Sequence, residues 1–289
     1  MNLFFINPSK QRCGVYQFGK QAFAAIQELG FAYTEDLNSL PRNAVYLFNW
    51  HPGTNLGILN PQSLQWLGGV SMGILHDPYH DPPFFTVKLR LDPTFEDRPP
   101  HYGLPRILEE FTFENRAPDR VTVGSWGFGL GHKNYQRVIT LVESQLKGAL
   151  IHLHLPYSDW CDAQGIGAHT IADECKRLAR FNEVQVSHEY LDFADFVRWA
   201  GGHSVNIFTC AENIVAGISS CTDIALMAKR PIGVSKSMMY KHIYSERTCL
   251  ERNTLLSLIG ADQTHLDAYR QRWSPQTFRE KIRLALSTI

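Results

Sequence analysis

The 289-residue sequence contains no C-x-x-C pair: its six cysteines stand at positions 13, 161, 175, 210, 221 and 249. That scatter argues against a zinc knuckle and is what reduced, intracellular thiols look like. Neither charge is in excess, with 28 Lys+Arg against 28 Asp+Glu, so net charge gives no reason to expect a nucleic-acid partner. No apolar run approaches the length of a membrane span, and the opening MNLFFINPSK lacks the basic start and long apolar stretch of a signal peptide. The expectation is a soluble, cytoplasmic protein without a transmembrane segment. Internal repeats and low-complexity tracts are missing as well. So are G-x-G-x-x-G and G-K-[ST], which removes the main support for a Rossmann dehydrogenase or a P-loop enzyme. What is present is apolar substance: 44% hydrophobic residues supply a core, and the length suits one large α/β domain or two modest ones.

The chain is organised around residues 212–234. The stretch 204–208 (SVNIF) follows the breaker pair Gly201-Gly202 and reads as a strand. Gly217 suits a tight turn with close backbone approach, and Ser219 and Ser220 stand where a helix would begin. Ile224, Ala225 and Ala228 follow at helical spacing, Lys229-Arg230 suit a helix C-terminus, and Pro231 closes the helix before a strand at 232–234. Amides and hydroxyls at a helix start make an anion site. An ordinary strand-loop-helix-strand unit with a serine cap fits the same residues.

The first half opens on an apolar strand at 3–6, a polar loop at 9–14 and a helix at 15–29 with Val15, Phe18, Ala22, Ala25, Ile26 and Leu29 on one face. Strand, Gly-bearing loop and helix begin a doubly wound fold, whose ligands sit at the carboxyl ends of strands. Gly14, at the loop-helix junction, is either a place where a ligand approaches the backbone or a turn glycine. Strands at 44–48 and 70–75 each run into histidine: Trp50-His51 after the first, His76-Asp77 and then His80-Asp81 after the second. His76-x-x-x-His80 has metal-ligand spacing, but Pro78, Pro82 and Pro83 argue against the helical face a zincin-like pair needs. His76 is then a candidate for sugar binding or acid/base work, against the alternative of a plain surface loop. Residues 86–91 alternate like a strand near an edge. The Pro- and charge-rich segment 92–105 reads as a mobile loop, and residues 117–119 as the interdomain boundary.

The pattern restarts at 121 with a strand, a glycine-rich loop (GSWGFGLGHK, 124–133) and a helix carrying Val138, Ile139, Val142 and Leu146. Lys133 sits at the start of that helix, a good place to meet a phosphate. In the strand 149–155, His152 and His154 share a face because side chains alternate. No third ligand follows at suitable spacing, so they are expected to be packed or hydrogen-bonded. Ser274 as N-cap and Pro275 at the first helical position start a terminal helix with Phe278, Ile282, Ala285 and Ile289 as its apolar stripe.

Taken in order, these segments resemble GT-B glycosyltransferases, and in particular the retaining group-1 type. The loop GSWGFGLGHK is similar to the one that supplies a lysine to the donor diphosphate in that family, with Lys133 as its counterpart, and GISSCTDIALMAKRPIG stands where the family has a turn, a helix and a Pro-ended strand entry. The resemblance implies an α/β fold of two Rossmann-like, doubly wound domains facing a cleft. It divides the chain into an acceptor-side domain (1–118), a donor-binding domain (119–270) and a C-terminal helix (271–289) crossing back to the first domain. It places Gly14, Gly127, Lys133, Ser187, His188, Glu212, Ser219, Ser220 and Asp223 around the donor. His76 and Lys133 are the implied catalytic residues, and Trp50, His51, Asp77 and His80 lie on the acceptor side. Where many group-1 enzymes carry two Glu separated by seven residues, this chain has Ala216 and Ile224.

The implied reaction moves a sugar from a nucleotide-sugar donor to an unidentified acceptor (a glycan, protein, nucleic acid or small molecule). It is expected to proceed with retention and without a metal or other cofactor. Lys133 and the start of the Ser219-Ser220 helix would meet the charge of the departing nucleoside diphosphate. Two alternatives remain open on the sequence: a GT-B-like nucleotide-binding or scaffold protein that has lost catalysis, and a nucleotide-sugar epimerase.

Overall fold

The structure, a computed structural model, describes residues 2–8, 12–55, 61–77, 80–112, 118–159, 161–212 and 216–289. Residues 9–11 of the first loop, 78–79 between His76 and His80, 117 at the expected boundary and 213–215 in the organising stretch lie outside the described residues. The chain divides into two compact units. One comprises Met1–Ile107, Ala216–Ile218 and Arg272–Ile289; the other comprises Leu108–Val215 and Ser219–Gln271.

The first unit runs β1 (Leu3–Ile6), α1 (Gly14–Ile26), β2 (Phe31–Thr34), β3 (Val45–Trp50), α2 (Pro52–Asn55), α3 (Pro61–Leu67), β4 (Val70–Leu75), β5 (Val87–Arg90) and β6 (His101–Gly103). All six strands are parallel, in the order β2-β1-β3-β4-β5-β6. Alternation along β3 divides the apolar residues between two faces. Leu47 joins Phe5, Ile74 and Leu89 under α1, while Tyr46, Phe48 and Trp50 pack with Leu64 and Phe85 on the other side. A sheet covered on both faces needs apolar residues at nearly every position, which is why β3 is buried along its whole length. Helix α1 ends in a 3-10 turn, Gln27–Leu29, closed by Gly30 in the left-handed region at φ 87°.

The strand expected near an edge is β5, one place in from the edge strand β6; it is buried throughout and paired on both sides, with β4 and with β6. One expectation fails here. The segment expected to be a mobile loop contains β6 itself, with Tyr102 only 2% exposed. The partner strand and the burial of Tyr102 outweigh the local signal of proline and charge.

The second unit runs β7 (Thr122–Trp126), α4 (Tyr135–Gln145), β8 (Leu150–His154), α5 (Ile166–Leu178), β9 (Glu183–Ser187), α6 (Phe193–Gly201), β10 (Val205–Phe208), α7 (Cys221–Met227), β11 (Ile232–Val234), α8 (Leu255–Gly260) and α9 (Thr264–Arg272). Its parallel sheet has the order β11-β10-β7-β8-β9. Val138, Ile139 and Val142 of α4 are fully buried against Val123, Ile151 and Leu153, as the sequence periodicity requires.

The last helix, α10 (Pro275–Leu286), belongs to the first unit. The Ser274 hydroxyl accepts from the Thr277 amide at 3.2 Å and Pro275 takes the first turn. Phe278, Ile282 and Ala285 are fully buried in the core beneath α1, and Arg279 Nε donates to the Ala25 carbonyl at 2.7 Å. Ile289, assigned to the same stripe, is 42% exposed and lies past the end of the helix. Among the described residues no helix is long and apolar enough to cross a membrane.

Candidate functional site

In each unit the strand order reverses once, and a doubly wound sheet binds ligands outside the carboxyl ends of the strands at that point. In the second unit the reversal falls between β7 and β10, because α4 leads out to β8 on one side and β10 returns on the other. The glycine loop leaves β7 there. Gly127 turns it at φ 133°, a short 3-10 turn covers Gly131–Lys133, and Asn134 at φ 51° opens α4. From the end of β10, the Thr209 hydroxyl donates to the Asn134 carbonyl at 2.7 Å and lies 3.1 Å from the Lys133 carbonyl. Ala211 N donates to the His132 carbonyl at 3.0 Å. With its backbone pinned from β10, Lys133 directs its ammonium onto Ser219, Nζ to Oγ 3.1 Å. Ser219 is 4% exposed and its amide donates to the Met239 carbonyl. Ser220, exposed, is the N-cap of α7, and Asp223 lies buried in that helix's first turn. A cation, a hydroxyl and the start of a helix thus meet at the switch point. Burial, followed by the charge of Lys133, lowers the pKa of His132, so this loop carries one positive charge rather than two.

The other donor-side residues are not all gathered there. Ser187 ends β9, and its hydroxyl is 2.8 Å from His154 Nδ1. His188 stacks on Tyr157 with ring centroids 5.4 Å apart and donates Nδ1–H to the Leu155 carbonyl at 2.9 Å. Glu212 is largely exposed and pairs with Lys236 at 2.8 Å, which lowers its pKa. His152 and His154 do share a face, as expected, and both lie against Trp199.

In the first unit the order reverses between β1 and β3. Asn7 follows β1, Asn49 is the penultimate residue of β3, and His76 follows β4. His76 Nε2 is 2.6 Å from Asn49 Oδ1, and its ring meets Phe18 of α1 edge-on at 5.1 Å. Burial, and then the neighbouring His51 and Arg106, hold its pKa well below the ordinary value, so the ring is neutral at pH 7. Gly217 lies against the His76 carbonyl so closely that a Cβ would overlap the oxygen, which is the close backbone approach its sequence position suggested. Gly14 is the first residue of α1, preceded by Cys13 as N-cap.

The acceptor-side residues cluster only in part. Trp50 is 7% exposed among Phe84, Phe85 and the ring of His80. His51 Nδ1 accepts from the Gly53 amide at 3.0 Å, and burial lowers its pKa although Asp77 opposes the shift. His80 turns to Asp77 at 2.8 Å and not toward His76. Asn7 and Asn49, both essentially buried, were missed on the sequence. Their one signal was an amide side chain at the end of each apolar run, INP and FNW. Thr209 was missed too, in the equivalent place after β10.

No family model matches this sequence, and no curated protein matches it. Solved structures do match. Anabaena Alr3699/HepE in complex with UDP-glucose is similar over 100% of both chains with a TM-score of 0.66 at 11% identity. The lipopolysaccharide outer core galactosyltransferase WaaB in its apo form matches over 100% of this chain and 99% of its own, with TM-score 0.66 at 8% identity. AviGT4, a glycosyltransferase involved in avilamycin A biosynthesis, matches over 99% of this chain and 96% of its own, with TM-score 0.62 at 11% identity. Identities this low carry the architecture and not the activity. The chain has the GT-B fold, two α/β units each built on a parallel, doubly wound sheet, in common with the glycosyltransferases it is similar to.

Proposed function

We propose that this protein is a glycosyltransferase that moves a sugar from a nucleotide-sugar donor to a separate acceptor, with retention and without a divalent cation. The observation that carries this reading is the meeting of Lys133 Nζ and Ser219 Oγ, 3.1 Å apart, at the switch point of the second sheet. The chemical difficulty of such a transfer is the departure of a nucleoside diphosphate while positive charge develops on the sugar. A fixed ammonium and a buried hydroxyl at the helix start stabilise the leaving diphosphate more as its charge grows. A phosphate oxygen would take the place that Ser219 Oγ now holds before Lys133, in a charge-assisted hydrogen bond. Within the first unit, neutral His76 is able to accept a hydrogen bond from a hydroxyl. The complexes of HepE with UDP-glucose agree in ligand class.

The test is a thermal-shift panel of nucleoside diphosphates and nucleotide sugars, each with and without EDTA. A ligand at about a hundred times its dissociation constant stabilises by roughly 2.7 kcal/mol, which is readily measured. A base-selective shift insensitive to EDTA, lost in Lys133→Ala, supports the reading; no shift with any nucleotide sinks it. A second reading, a nucleotide-binding protein without turnover, is favoured by Ala216 and Ile224 standing where the group carries its glutamates. Ile224 is 7% exposed and packed in α7. Selective binding with no release of nucleoside diphosphate from any donor selects that second reading.

A further inference from the structure

We infer that Asn49 is a positioning residue that fixes the tautomer of His76, so that the ring presents Nδ1 as its hydrogen-bond acceptor. Two backbone carbonyls, which can only accept, orient both amides. Asn7 Nδ2 is 3.1 Å from the Tyr16 carbonyl, so its amide nitrogen faces α1 and its Oδ1 faces Asn49. Asn49 Nδ2 is 2.7 Å from the Val15 carbonyl and 2.7 Å from Asn7 Oδ1, so it donates to both. The oxygen of Asn49 is therefore the atom that faces His76 Nε2 at 2.6 Å, and an oxygen there can only accept. The proton of a neutral His76 must sit on Nε2, which leaves the Nδ1 lone pair as acceptor. Among the described residues Nδ1 has no hydrogen-bond partner of its own, nor is it among the buried polar atoms that lack one.

The chain is anchored at its far end as well. Asn7 Nδ2 also lies 3.1 Å from the Tyr33 hydroxyl, which donates to Glu35 at 2.6 Å. Burial, followed by that bond to Glu35, raises the Tyr33 pKa, so the phenol keeps its proton. Asn7 is 1% exposed and Asn49 fully buried, so water does not compete for these bonds. Room for the pair comes from Gly19 on α1, where a Cβ would overlap Asn7 Oδ1. The titratable and charged groups acting on the ring are His51 after β3 and Arg106 after β6, while Asp77, its neighbour in the chain, turns to His80; Phe18 and Gly217 bring no charge. Nothing in this set supplies a carboxylate to Nε2, and an amide oxygen does not stabilise the imidazolium as a carboxylate would.

The inference makes His76 a neutral acceptor for a ligand hydroxyl, and only its kinetic consequence rests on the proposed sugar transfer. Long-range 1H–15N spectra of the full chain, with His76 assigned by comparison with His76→Gln, read the tautomer directly. The wild type should show a single Nε2–H tautomer at pH 7, and Asn49→Ala should show a mixture with Nδ1–H. Asn49→Asp places a carboxylate on Nε2 and should move the titration of His76 upward by at least one pH unit. In a turnover assay the acid limb of the pH profile should move by the same amount, which a merely structural loss would not cause. An Nδ1–H ring or a tautomer mixture in the wild type overturns the inference. So does an Asn49→Ala spectrum unchanged from wild type, or a folded Asn49→Asp protein with the wild-type His76 titration. Should Asn49→Asp fail to fold, the wild-type and Asn49→Ala spectra still decide. A confirmed tautomer with no link between turnover and His76 leaves the inference standing and removes His76 from the transfer reaction.

Discussion

Trp199 Nε1 stands 3.4 Å from His152 Nε2, and because an indole N–H only donates, that contact fixes the direction of a pair of linked imidazoles. His152 must carry its proton on Nδ1, which faces His203 Nε2 at 3.3 Å; His203 in turn donates Nδ1–H to Asn206 Oδ1 at 2.7 Å. Asn206 is oriented by donating its Nδ2 to the Ala200 carbonyl at 3.2 Å. Every ring is satisfied as a neutral species, and a second proton on either would face another donor. Burial lowers the pKa of His203 to about 3 and that of His154 to about 4.

Those shifts predict an acid-labile second unit. A histidine whose pKa is lower in the folded than in the unfolded chain contributes stability above the unfolded value of about 6.5, and loses it as the pH falls toward the folded value. Each silenced imidazole costs roughly 1.4 kcal/mol per pH unit across that window. Urea unfolding at pH 7 and pH 5 should show a clear loss at pH 5. His154→Gln should be less stable at pH 7 yet have a shallower pH slope. An unchanged slope would show that His154 titrates normally.

Lys133→Ala should weaken nucleoside diphosphate binding at least tenfold, about 1.4 kcal/mol, within the range of a charge-assisted contact. Ser219→Ala should have a smaller effect in the same direction. Titration calorimetry at two salt concentrations checks both, and the deficit of Lys133→Ala should shrink at high salt because screening weakens what was lost. Equal affinities for wild type and Lys133→Ala would place the diphosphate elsewhere.

Gly19→Ala should destabilise the first unit, because the added methyl overlaps Asn7 Oδ1. Overpacking of this kind costs typically about 1–3 kcal/mol, and it should come with loss of the single His76 tautomer. A melting curve and the same ring spectrum, recorded on one sample, test both halves of that statement.

Phe278→Ala should cost about 3–5 kcal/mol, the usual penalty for emptying a buried aromatic site. Phe278 is fully buried, and its ring meets Phe18 edge-on at 6.1 Å. Ser274→Ala removes the N-cap bond and the contact of its hydroxyl with Thr277 Oγ1 at 3.3 Å, and should cost about 1 kcal/mol. Denaturant unfolding of the two variants side by side separates anchoring of α10 from its initiation.

Much of this architecture was legible residue by residue. The strands Leu3–Ile6, Val70–Leu75 and Ile232–Val234 fall where apolar runs bounded by breakers put them, and α10 starts at its Ser-Pro signal. Those features are local: a run, a cap and a period are written in neighbouring residues. The same holds for His152 and His154, since a two-residue period alone fixes their common face. Local sequence therefore encodes a twice-repeated α/β pattern with a lysine-bearing glycine loop opening its second half. Tertiary structure decided the rest. Strand β6 forms inside a segment rich in proline and charge because β5 offers it a paired edge, and β5 has a partner on each side only because β6 is there. Asn7, Asn49 and His76 are 42 and 27 residues apart in sequence, and Lys133 and Ser219 are 86 apart. Only the strand order, by bringing β1 beside β3 and β7 beside β10, makes neighbours of them. A hydrogen bond has a direction and a length that spacing along a chain does not encode, so the orientation of His76 became readable once the carbonyls of Val15 and Tyr16 were fixed in space.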